Sequence, residues 1–129
     1  MLKRPAAIAA GSLLGLSILA IPVAAWADPP GCSHDTPSFS QSGGYMTSSS
    51  NGNCGTSETR TFRIEIKHDL NNRPDPVTAA NENRSTSKNY GVSVSTCDHG
   101  TSASYYGRSF FTANANYHDS ARVFVNTCT

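Results

Sequence analysis

Every histidine of the chain stands beside an aspartate: His34-Asp35, His68-Asp69, Asp98-His99 and His118-Asp119. Neutral imidazole and carboxylate both ligate divalent ions, and together they do general acid–base work. Metal binding or a small hydrolytic centre is the chemistry such neighbours would support, with His99, His118, Asp98 and Asp119 as its candidate residues. Spacing argues against it. No two histidines sit at i, i+2 or i, i+4, the intervals that aim two imidazoles at one ion. Histidine and aspartate also suit the turns and strand ends where these pairs fall. There is no Gly-x-Ser-x-Gly nucleophile elbow, and no carboxylates are spaced for glycosidic cleavage. Glu58, Glu65, Arg63 and Arg122 supply the residue types of a ribonuclease, but nothing in the sequence gathers them. No catalytic residue and no cofactor follow from these residues.

The four cysteines, Cys32, Cys54, Cys97 and Cys128, carry a stronger signal. Zinc sites use closely spaced pairs such as Cys-x-x-Cys, whereas the gaps here are 22, 43 and 31 residues. An even count at wide spacing in a small exported domain specifies disulfides. Export itself is written at the N-terminus. Lys3 and Arg4 precede an apolar run richest from Leu13 to Ile21, followed by Pro22 and the small-x-small site Ala25-Trp26-Ala27. That is the order of a secretory signal, and Pro22 with the cleavage site favours removal over retention as an anchor. The expected organisation is a signal peptide over 1–27 and one secreted domain over 28–129.

Loss of the signal removes the only tryptophan and reduces the basic residues from 10 to 8 against 9 acids, a net charge of −1. A near-neutral domain has no electrostatic case for nucleic acid or for an anionic membrane surface. Of the 102 residues from Asp28 to Thr129, 28 are Ser or Thr, which favours turns and exposed strands over long helices.

Strand periodicity is clearest from Thr61 to Lys67, where Phe62, Ile64 and Ile66 alternate with Thr61, Arg63, Glu65 and Lys67. Tyr90, Val92 and Val94 alternate before Cys97, as do Ala121, Val123 and Val125 before Cys128. Residues 101–117 form a β-prone stretch between them. A hairpin turning at Gly43-Gly44 pairs Ser42 with Tyr45 and Phe39 with Ser48. Extended outwards, it sets Ser33 opposite Cys54, one residue from a Cys32–Cys54 bridge; Cys97–Cys128 follows by elimination. A flat meander of 90–97, 101–117 and 120–128 would hold Cys97 and Cys128 about 9.6 Å apart, two strand spacings and too far for a disulfide. The sheet must therefore fold over. The expected fold is all-β, a small antiparallel β-sandwich stapled by two disulfides, with the second bridge near a sheet end.

Residues 69–89 contain Pro74 and Pro76 and little apolar content, the composition of a long polar connection in which Asp75-Pro76 caps at most one helical turn. Such a loop, with Arg73 and Arg84, is a candidate recognition element. The densest aromatic region, with Tyr105, Tyr106 and Phe110, is the second: on a strand, one member of Tyr105/Tyr106 and of Phe110/Phe111 faces outward. The function expected is that of a secreted, monomeric, non-enzymatic binding or inhibitory protein, bacteriocin-like activity included, acting on a protein or cell-surface ligand. The alternatives are a His/Asp metal-binding protein or small hydrolase, and a structural cell-surface protein. Mass spectrometry of exported material is expected to find a chain beginning at Asp28, lighter by four hydrogens than its fully reduced form.

Overall fold

A computed structural model describes residues 27–98, 102–126 and 128. Except for Ala27, the expected signal peptide lies outside the described residues, as does His99. The described residues contain seven strands and no helix: β1 Cys32–His34, β2 Ser38–Ser42, β3 Tyr45–His68, β4 Val77–Cys97, β5 Ala103–Phe111, β6 His118–Asp119 and β7 Val123–Val125. They form one antiparallel sheet.

The length of β3 dictates the architecture. Its 24 residues would run about 80 Å if straight, several times the radius of a domain this size. β3 and its partner β4 bend together, and their register shifts between Asn53 and Glu58. Before the bend, β3 pairs with β2 and then β1 on one edge; beyond it, the same edge pairs with β5. β4 follows the other edge throughout. Folding this ribbon across its middle stacks its halves into two layers.

The core lies between the layers. Cys54, Phe62, Ile64, Tyr90, Val92 and Phe111 form one cluster, and Met46, Ile66, Tyr105 and Val125 the other. The Tyr90 hydroxyl, brought inside with its ring, donates to the carbonyl oxygens of Glu58 and Ser85 at the bend. The layers approach too closely for side chains at two positions. A Cβ on Gly107 would overlap Ser48 Oγ, and one on Gly52 would sit 2.8 Å from Phe111 Cζ.

The Gly43-Gly44 hairpin forms in the expected register, Ser42 opposite Tyr45 and Phe39 opposite Ser48. Both glycines have positive φ, 58° and 84°, the conformation that matches a two-residue turn to strand twist. The one-residue offset at Cys54 is absorbed at residues 35–37, between β2 and β1, so Cys32 stands directly opposite Cys54. Both expected bridges are present, Cys32–Cys54 and Cys97–Cys128, the second with its Cα atoms 5.9 Å apart at the end of β4.

Two expectations are corrected. The polar connection over 69–89 shrinks to 69–76, because Val77–Cys97 is a strand. Its apolar signal is missing because inward positions at this sheet edge hold Asn81 and Asn83, whose side-chain amides donate to the carbonyls of Ser93 and Gly91 in the opposite layer. Thr59–Thr86, Asn53–Asn89 and Arg63–Glu82 contacts replace apolar cross-strand pairs. Asp75 closes a turn, not a helix, accepting from the Leu70 N–H at 2.8 Å.

The flat meander that disulfide reach excludes does not form: β3 separates β4 from β5. Finally, 101–117 is not one strand. β5 ends at Phe111 and the chain returns through β6 and β7 along the same strand, which carries Cys128 back towards Cys97.

Gly107→Ala is expected to destabilise the domain by about 1–3 kcal/mol, because the added methyl forces the layers apart. Chemical denaturation of the oxidised protein measures it.

Candidate functional site

β5 presents two unlike faces. Tyr105, Gly107, Ser109 and Phe111 turn inward and are buried; Tyr106, Arg108 and Phe110 turn outward beside Lys67, Glu65 and Arg63 of β3. β6 and β7 flank the strand's other edge and add Tyr117, Asp119, Arg122 and Phe124 to the outer surface.

These side chains form a stack of alternating rings and guanidiniums. Phe110 meets Tyr117 edge to face at 4.8 Å. Arg108 Cζ lies 4.2 Å from the Tyr117 ring centre and 5.8 Å from that of Tyr106. On Tyr106 lies Arg122, at 3.8 Å. Each of the arginine contacts joins a cation to the electron-rich face of a ring. Carboxylates fix the stack from its sides. Arg108 Nε and Nη2 donate to the two oxygens of Asp119 at 2.7 and 2.9 Å, and these bonds push the guanidinium pKa further up. Arg122 lies 3.7 Å from Asp69. The Tyr106 hydroxyl donates to Asp75 Oδ2 at 2.7 Å, tying the 69–76 turn to the sheet.

This arrangement corrects the aromatic expectation. Phe110 and Phe111 divide as alternation requires, the first half-buried and the second in the core. Tyr105 and Tyr106 are both buried, at 2 % and 1 % exposure. Tyr106 does face outward, but Arg122 lies across it. The rings that reach solvent on this face are instead Tyr117, 49 % exposed, and Phe124, 58 % exposed, and no alternation pattern marks Tyr117 because it stands in the connection between β5 and β6. Arg73 is exposed in the 69–76 turn; Arg84 is exposed in β4, opposite Thr61, and belongs to no loop.

The His/Asp neighbours part company. Asp119 serves Arg108, and Asp69 faces Arg122. His68 stacks on Tyr105 at 4.9 Å. Asp98 Oδ1 accepts from the Cys128 N–H at 2.9 Å. The donor atoms of Cys97, Asp98 and Cys128 do lie within 4.8 Å of one another, but the two sulfurs are joined, so this cluster clasps the chain end. Asp98 thus sits at the Cys128 end, where Ala103 pairs with Val125, whereas His118 pairs with Ser109. Six residues of β5 separate them, about 20 Å, so the proposed metal residues Asp98, His118 and Asp119 are not brought together.

His34 and His118 do meet, stacked at 3.8 Å on the interior side of β6. No residue pattern marks this meeting, because it needs β1 and β6 in opposite layers. His34 is a structural pin: Nδ1 faces Asp28 at 2.9 Å and Nε2 donates to the Ser109 carbonyl at 3.0 Å, with the side chain fully buried. Neither nitrogen is open to a substrate. Among the described residues there is no cleft or cavity of ligand size.

Burial first, then the bond to Asp75, pushes the Tyr106 phenol up to about 12. Its folded value is raised, so its contribution to stability is complete below the ordinary tyrosine value of about 10 and is lost as pH rises to about 12. Tyr106→Phe is expected to flatten that part of the alkaline unfolding profile, followed by circular dichroism. Compared with family models, curated proteins and solved structures, the chain matches none.

Proposed function

We propose that this chain is a secreted, monomeric, non-enzymatic binding or inhibitory protein that recognises a protein or cell-surface ligand through the outer face of β5 and β6. The observation that carries the reading is the Tyr117–Arg108–Tyr106–Arg122 stack, with Phe110 at its end. Tyrosine and arginine dominate binding energetics where they are held rigid, because little side-chain freedom remains to be lost on association. Here each guanidinium is held between ring and carboxylate before any partner arrives, while Tyr117 and Phe124 stay open to solvent.

Two cross-links support an oxidising compartment, in keeping with a signal peptide over 1–27 and export of 28–129. No helix among the described residues is long and apolar enough to cross a membrane. A charge of −1 on the exported part disfavours nucleic acid as the partner. An inhibitory loop over 69–89 has lost its structural basis, because most of that span is β4. An inhibitor of this design would act through its sheet face.

The test compares Tyr117→Ala with Tyr45→Ala, a similarly exposed ring at the start of β3. Immobilised wild-type protein is exposed to extracellular and cell-surface fractions, and affinity for the retained ligand is then measured for each variant. Tyr117→Ala is expected to weaken binding about tenfold or more, with Tyr45→Ala near wild type. Equal binding by both variants would sink the reading.

A further inference from the structure

His34 ends β1 and His118 begins β6, and their rings lie face to face, 3.8 Å apart with planes inclined by 24°. Both nitrogens of His34 face acceptors: the two oxygens of Asp28, each at 2.9 Å, and the Ser109 carbonyl at 3.0 Å. Both positions suit an N–H donor, and Asp28 is the counter-charge at hand for a ring that carries both protons. His118 is placed differently. Its Nδ1 is buried and has no hydrogen-bond partner, a setting that suits a neutral ring with no proton on that atom.

The surroundings leave one carboxylate for two rings. Phe62 of β3 and Phe111 of β5 flank His34 at 5.5 and 6.1 Å. Asp35 is exposed, and Asp119 is bound to Arg108 on the outer face. Among the described residues, Asp28 alone faces the pair; it also accepts from Asn116 Nδ2 at 3.2 Å. If a leader is removed after Ala27, the α-ammonium of Asp28 adds a positive charge beside it.

We propose that His34 and His118 form a proton-operated latch on the recognition surface. In the closed state a stacked imidazolium–imidazole pair pins β6 from inside, and a second proton, on His118, drives the rings apart. Two cations at stacking distance share a single carboxylate, and the added N–H at Nδ1 has nowhere to donate. Release of His118 carries its neighbours Tyr117 and Asp119 out of the ring–guanidinium stack, so acidification dismantles the face that binds. The open state holds one more proton than the closed one, so opening increases as pH falls. The latch rests on reading that outer face as the recognition surface.

Hydrogen exchange tests it without any ligand. Ser120 N–H donates to the Gly107 carbonyl and Gly107 N–H to Ser120 Oγ, both at 2.9 Å, so protection at these amides reports whether the return strand is seated. Between about pH 7.5 and 5, where histidines titrate and aspartates remain ionised, wild-type protection there is expected to fall about tenfold or more relative to Ile64 and Ile66. His118→Phe, which stacks but takes no proton, is expected to hold its protection level. Asp28→Asn, which leaves His34 without its counter-charge, is expected to lose protection at higher pH than wild type. Matching pH profiles in wild type and His118→Phe, or a profile unmoved by Asp28→Asn, would overturn the latch. A failed latch appears as pH-independent protection, whereas a failed recognition surface appears as unchanged affinity in Tyr117→Ala.

Discussion

β3 and β4 run side by side for most of their length, and a ribbon that long has to double over to become a domain. The bend between Asn53 and Glu58 is the constraint on which the rest depends. It turns one edge of β3 into the meeting place of β1, β2 and β5, and it sets the two halves of β4 across from each other. The covalent links sit at the points where such a fold would reopen. Cys32–Cys54 fastens β1 to β3 as the bend begins, and Cys97–Cys128 fastens the end of β4 to the returning tail beyond β7.

Two layers drawn this close hold few apolar side chains, and much of the interior is hydrogen-bonded. Ser48 and Ser50 are buried and donate to the carbonyls of Ser38 and Asp35. Asn81 and Asn83 stitch the open side of the sandwich, occupying carbonyls that an edge strand would otherwise offer to another chain. On the other side, His34 ties β1 and the N-terminal arm to β5. Such a core depends on every polar partner being in place, since a buried donor or acceptor left alone costs about 1–3 kcal/mol.

β6 is two residues long and touches both the proposed recognition face and the proposed latch. Asp119 points outward and orients Arg108 within the exposed stack; His118 points inward and lies on His34. So short a strand has little ladder of its own, and its position depends on these side-chain contacts. The proposed latch therefore needs no longer path through the protein: the inner and outer contacts belong to adjacent residues of β6.

Much of the scaffold was legible in the residues themselves. Alternation marked Thr61–Lys67 and the stretches before Cys97 and Cys128, Gly43-Gly44 set the register of the first hairpin, and the cysteine spacing pointed to the two bridges. These signals are local or covalent, and each rests on steric rules that act over a few residues. The polar half of β4 was hidden because its inward positions are filled by asparagines, whose partners are carbonyls in the other layer. Tyr105 and Tyr106 show the same limit: alternation gives the side a ring faces, but only tertiary packing decides whether Arg122 covers it. The meeting of His34 with His118 joins residues far apart in the chain. No short-range pattern encodes such contacts, because they exist only once the ribbon has folded and the two layers face each other.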